Sequence, residues 1–255
     1  MNIKRISSIL CLIILVLLWE VLATLYSHHN PLIPAFSQVI QQMYKEFANC
    51  HLLYATFVSL VLVLAGYLLS ISLALIISII CIKFYWVKAF FITLYKILSP
   101  LPSVAILPII LLISGLNSKS IILLILHSVF WPMLASYIIG FTSVPQIFDD
   151  FSSNIGFSPI QKYTIVFIPS AFPHILTGLR TSWGRSWRSL ISAEAIFGIS
   201  GATQGLGYYI YYHRAFANMS NVFAGIIIII IVSLLAEELF SIIENNSIKK
   251  WGIIK

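Results

Sequence analysis

Charge is what this sequence has least of. Only 9% of its 255 residues are Asp, Glu, Lys or Arg, against roughly 25% in soluble globular domains. That deficit excludes a solvated globular enzyme, a disordered chain and a nucleic-acid-binding domain, each of which depends on a charged surface. Cysteine is scarce as well. Cys11, Cys50 and Cys81 share no CxxC-type spacing, so neither a metal site nor a disulfide scaffold is expected. Cys11 and Cys81 sit in apolar runs and read as small buried hydrophobes. No GxxxxGK[ST] loop occurs, so the chain has no nucleotide site of that type, and no HExxH helix marks a metalloprotease. The six histidines are scattered apart from His28-His29. Gly205-Leu206-Gly207 lacks the strand–helix context of a dinucleotide site and reads as a turn. No cofactor is expected.

What is present is apolar length. Hydrophobic residues make up 60% of the chain, and the mean hydropathy is +0.99. A helix crosses a bilayer with about 20 apolar residues, and six blocks qualify: 6–26, 54–82, 88–114, 119–142, 178–199 and 221–243. The chain is therefore expected to be an all-α, polytopic, multi-pass protein of the lipid bilayer with about six transmembrane helices. The first block is expected to stay as an anchor, because no small-x-small cleavage site precedes Ser27-His28-His29-Asn30. Six spans put both termini on one side. Placing them in the cytoplasm leaves Lys4, Arg5, Lys83, Lys88, Lys162, Lys249, Lys250 and Lys255 inside and only Lys45, Lys119 and Arg214 outside, as the positive-inside rule requires. The expected organisation is an anchor helix and external amphipathic segment over 1–53, a transmembrane domain over 54–243 and a basic cytoplasmic tail over 244–255. In the external segment Phe36, Val39, Ile40, Met43, Tyr44 and Phe47 recur at helical spacing, predicting an amphipathic helix at the outer surface.

Several residues inside the spans break the apolar monotony. Gly66, Ser70, Ala74 and Ser78 form one small-residue stripe, which predicts close helix packing. Ser99-Pro100-Leu101-Pro102-Ser103 interrupts the third span, with Pro108 beyond it. Proline breaks the helical ladder, and freed backbone groups in lipid must be covered by protein or line a wet cavity. Pro100, Pro102 and Ser103 are therefore candidates for a translocation pathway, with a simple kink as the other reading. Arg180, Arg185, Arg188 and Glu194 punctuate the fifth span, and ionisable groups there default to function. The arginines can attract an anion, snorkel or set topology. Glu194 is a further pathway candidate, or else the partner of an arginine on another helix.

The polar insertion at 143–171 falls in the cytoplasm. Phe148, Phe151, Ile155, Ile160, Tyr163 and Val166 recur among its polar positions, suggesting short amphipathic helices around Gly156 that either anchor a soluble partner or pack on their own neighbours. Its spacing resembles the signature of permease subunits of bacterial ABC importers: Glu-Ala-Ala, three residues, Gly, nine residues, Ile-x-Leu-Pro. Here Asp150-Phe151-Ser152 fills the first slot, Gly156 follows, and Val166-Phe167-Ile168-Pro169 closes the pattern. Only acidic character survives from the triplet. Ser99–Pro108, Pro169–Arg180 and Trp187–Glu194 followed by Gly205-Leu206-Gly207 are similar to the nitrate/sulfonate/taurine branch of that family. The resemblance covers about residues 54–240. It implies a MetI-like fold in the bacterial cytoplasmic (inner) membrane and a non-catalytic permease, paired as a homodimer. Cytoplasmic ATPase subunits would dock at Asp150, Phe151, Gly156, Lys162 and Pro169, and a periplasmic or surface binding protein would deliver a small polar or anionic solute. The competing class, an ion-gradient-driven secondary transporter, predicts inverted repeats with paired intramembrane acids, and Glu194 stands nearly alone.

Overall fold

The computed structural model describes residues 3–26, 32–197 and 204–247. The sequence segments Ser27–Pro31 and 198–203 and the basic tail from 248 onward lie outside the described residues. Every described element is helical. In chain order these are α1 (Ile3–Tyr26), α2 (Phe36–Ala48), α3 (His51–Lys83), α4 (Tyr85–Leu98), α5 (Ser103–Ser114), α6 (Ser118–Thr142), α7 (Gln146–Asn154), α8 (Pro159–Gln161), a π-helical turn (Lys162–Phe167), α9 (Ile168–Phe197), α10 (Leu206–Ala215) and α11 (Met219–Asn246). Within the described residues five of the expected spans are helical throughout, and the third is interrupted at Ser99–Pro102. α3, α6 and α11 are each long and apolar enough to cross a membrane, and α4 with α5 passes only as a pair. α3, at 33 residues, is about 50 Å long, well beyond the ~30 Å hydrocarbon core. α11 leaves Ile230, Leu234, Leu235 and Leu239 exposed, the pattern of a helix whose solvent is lipid tails.

The chain divides into two compact units, Met1–Ser59 with Glu194–Ile231 and Leu60–Ala193 with Val232–Lys255. In the first, α1 pins α2. The Trp19 Nε1–H donates to the Pro34 carbonyl at 3.1 Å, and its ring meets Phe36 edge-on at 5.4 Å. The Glu20 carboxylate accepts from the Ser37 amide at 3.1 Å and from its hydroxyl at 2.7 Å. Those bonds cap an otherwise open first turn of α2. The amphipathic prediction for α2 holds in outline but not in register. Val39 and Glu46 are buried, whereas Ile40 and Tyr44 are exposed. The buried stripe tolerates Glu46 because Gln42 Nε2 donates to it at 3.4 Å and His51 Nδ1 lies 3.4 Å away.

In the second unit the small-residue stripe of α3 is buried as expected: Ser70, Ala74 and Ser78 are inaccessible. A Cβ at Gly66 would sit 2.8 Å from Ile125 Cβ of α6, so the two backbones approach as only glycine allows. Ser70 and Ser78 return their hydroxyls to carbonyls of their own helix, at 2.5 Å to Gly66 and 2.7 Å to Leu75, leaving no orphan polar group at that contact. Tyr67 joins α3 to α9 by donating to the Leu179 carbonyl at 2.7 Å and stacking edge-on with Trp183 at 5.6 Å. The third expected span is a sharp break. α4 and α5 bend by 105° across Ser99–Pro102, Pro102 sits in extended geometry as the N-cap of α5, and α5 packs on α6.

Candidate functional site

Three groups of residues carry chemistry or contact, and the first is the 143–171 segment. α7 ends in a Schellman motif. The Gly156 amide donates to the Ser153 carbonyl and the Phe157 amide to the Ser152 carbonyl, both at 3.0 Å, with Gly156 at φ +80°. That conformation favours glycine, and the motif satisfies carbonyls that α7 would otherwise leave open. The Lys162 ammonium reaches back to the Ser153 hydroxyl at 2.5 Å, tying the π-helical turn to α7. Ser152 is buried, whereas Ile147, Phe148, Phe151, Ile155 and Ile160 are exposed. Asp150 is exposed beside them and Pro169 lies at the second position of α9. The structure thus brings Asp150, Phe151, Gly156 and Lys162 into one hairpin with a strongly apolar outer face.

The second group surrounds the α4–α5 break. A cavity of about 530 Å³ is lined by Ser99 to Val104, by His127, Ser128, Trp131 and Pro132 of α6, and by Arg185, Arg188 and Ser189 of α9. Pro100, Pro102 and Ser103, singled out by sequence, all border it. A hydroxyl chain crosses its wall, Ser103 to Ser189 at 2.8 Å and Ser189 to Ser128 at 2.6 Å. Arg185, Arg188 and Ser189 fall at i, i+3 and i+4, one face of α9. The Arg188 Nε–H donates to the Gly184 carbonyl at 3.0 Å. Among the described residues no carboxylate pairs with either arginine. Arg180, on a different face, is bonded to Glu237 and, at 3.2 Å, to Glu244 of α11. His127, Ser128 and Ser189 escaped the sequence reading; a His-Ser pair inside an apolar span was the available signal.

Glu194, the remaining pathway candidate, belongs to the first unit with a different set of partners. Its side chain is inaccessible. The Ser59 hydroxyl lies 2.8 and 2.7 Å from its two oxygens, and the Gly207 amide donates to Oε2 at 2.9 Å. The Leu206 amide donates in turn to the Ser59 hydroxyl at 2.8 Å. Glu194 and Ser59 together cap the N-terminus of α10, where a helix presents open amides and partial positive charge. A Cβ on Gly205 would collide with the carboxylate. The expected arginine partner is therefore replaced by a hydroxyl and a helix end, which explains why Glu194 and Gly205-Leu206-Gly207 occur together.

The sequence is similar to known proteins over most of its length. Residues 66–247 match the family model described as binding-protein-dependent transport system inner membrane component. A protein of Methanocaldococcus jannaschii described as an ABC transporter permease is 30% identical over 235 residues, 91% of this chain and 86% of that protein. The taurine transport system permease protein of Escherichia coli is 37% identical over 138 residues, 54% of this chain and 49% of that protein. The nitrate import permease protein of a Synechocystis strain is 25% identical over 251 residues, 95% of this chain and 89% of that protein. With its apolar helices and its 143–171 hairpin, the chain belongs to the family of binding-protein-dependent transport system inner membrane components, the polytopic permease subunits of ABC importers.

Proposed function

We propose that the chain forms, with a second copy of itself, the transmembrane pathway of an importer for a small anionic or polar solute. Both termini and the 143–171 hairpin face the cytoplasm. A binding protein delivers the solute at the outer surface. The solute class follows the relatives named for taurine and nitrate, which share an anionic oxygen group. The chain has no phosphate loop, so on this reading ATP energy arrives from separate ATPase subunits through a cytoplasmic contact. The observation that carries the reading is the hairpin: exposed Phe151 and Ile147 beside Asp150, on a short helix stopped by Gly156. Aromatic and aliphatic anchors on a rigid element suit a soluble partner's groove. Closure of two ATPases would then move the hairpin and, through Pro169 and α9, the spans behind it.

The test is co-purification of the tagged chain from mild detergent with an ATP-hydrolysing partner. Gly156→Val is expected to insert normally, because no atom lies within 4 Å of the new Cβ. A β-branched residue held at positive φ costs about 1–2 kcal/mol, so the hairpin should rearrange and lose the ATPase or its coupling to uptake. Wild-type coupled uptake in Gly156→Val would refute the hairpin's role.

A further inference from the structure

Three features of the molecule call for an occupant or a purpose: the hairpin's apolar face, already given to the ATPase; the Glu194 clasp, already satisfied; and the arginine-lined cavity at the α4–α5 break. The cavity is not accounted for. Two guanidinium groups project to it from one face of α9, and no described carboxylate neutralises them. Both arginines are exposed, so their guanidinium groups are open to an anion entering the cavity. Arg180, five residues earlier on the same helix, shows the alternative: it has two carboxylate partners on α11.

Hydroxyls of Ser99, Ser103, Ser128 and Ser189 add donors to a wall otherwise built largely of proline and aliphatic residues. The Ser103–Ser189–Ser128 chain spends two of its three hydroxyl protons internally, which leaves one for a ligand or a backbone carbonyl. The first turn of α5 begins at the cavity, since Pro102, Ser103 and Val104 line it, and no side chain caps that helix. Its open amides and partial positive charge add to the arginines. No aspartate or glutamate lines the space. Planar guanidinium groups hold oxyanions by two parallel N–H···O bonds.

We propose that Arg185 and Arg188, with the Ser103–Ser189–Ser128 hydroxyls, form a binding station inside this chain for the oxyanion group of a sulfonate or nitrate. The inference deepens the importer reading and rests on it: selectivity is set here as well as by the delivering protein. The prolines of the break keep α5 turned so that its N-terminus faces the arginines across the cavity.

The test uses the full chain with its ATPase partner in nanodiscs, titrated with taurine and with nitrate at constant ionic strength, reading the thermal unfolding midpoint. The wild type is expected to show a saturable rise in midpoint with at least one of the two anions. Arg185→Gln with Arg188→Gln is expected to raise the half-saturating concentration about ten- to hundredfold while keeping the ATPase bound. Arg180→Gln is expected to lower the midpoint and keep the saturable rise. An unchanged anion response in the double variant overturns the station. Loss of the ATPase from the wild type overturns the importer reading instead. Should the double variant not assemble, Arg185→Lys with Arg188→Lys decides: a severalfold weaker response supports bidentate binding, and an unchanged one refutes it. A lipid headgroup carries the same anionic oxygen chemistry, so nanodiscs of phosphatidylcholine are compared with and without phosphatidylglycerol. A response to free anion in both supports the station. A stabilisation by phosphatidylglycerol that free anion neither reproduces nor competes with overturns it.

Discussion

Glu194 illustrates how one residue's chemistry is set by neighbours far away in sequence. Its two oxygens are held by a hydroxyl 135 positions earlier and an amide 13 positions later. Glu194→Ala would leave the Gly207 amide buried without an acceptor and remove one partner of the Ser59 hydroxyl. Orphaned donors of that kind cost about 1–3 kcal/mol each, so the unfolding midpoint of the solubilised chain should fall, and uptake with it, while the ATPase remains associated. Gly205→Ala should destabilise by a comparable amount for a different reason: its Cβ overlaps the carboxylate, and overpacking costs about 1–3 kcal/mol. A wild-type midpoint and wild-type uptake in Glu194→Ala would contradict the capping role. The sequence announced Glu194 as an ionisable group in an apolar run, but not its partners. Serine is common and uncharged, so nothing marked Ser59, and the search for an arginine partner followed charge alone.

Elements were more legible than partners. Helix positions followed from apolar length, because a long continuous apolar block satisfies its backbone in lipid within itself, as a helix. The small-residue stripe on α3 also named the correct face, since small side chains let two helices approach closely in lipid. Its counterpart, Ile125, was not legible, because register between α3 and α6 depends on the whole bundle. The contact yields a paired prediction. Gly66→Ala places a Cβ 2.8 Å from Ile125 Cβ and Cγ2, and should lower the midpoint in detergent by the equivalent of about 1–3 kcal/mol. Adding Ile125→Ala should recover part of that loss, and the non-additivity of the double-mutant cycle is the measurement. Strict additivity would mean that α3 and α6 do not meet through these side chains. α2 shows where periodicity misleads. Tyr44 fits an apolar stripe by spacing, yet Glu46 takes the buried position because Gln42 and His51 supply polar contacts there.

At the scale of the whole molecule, the sparse charge does two jobs. Most of the 15 basic residues lie at span ends, where they set orientation by position rather than by partner. Of the three arginines inside α9, Arg180 has carboxylate partners and Arg185 and Arg188 line the cavity at the break. The proposed topology, with eight basic residues inside against three outside, places the hairpin in the cytoplasm, and the native cysteines give a direct check on that proposal. Cys50 is exposed in the turn between α2 and α3, on the side expected to face outward. Cys11 is exposed within the apolar α1, where a bilayer keeps a water-soluble reagent away from it. Cys81 is buried. A membrane-impermeant maleimide added to intact cells should therefore label Cys50 alone. In a Cys50→Ser background, Lys162→Cys should label only after the membrane is opened, because the proposed topology puts the hairpin on the other face. Labelling of Lys162→Cys from outside would invert the topology, and with it the direction from which an ATPase could reach Asp150, Phe151 and Gly156.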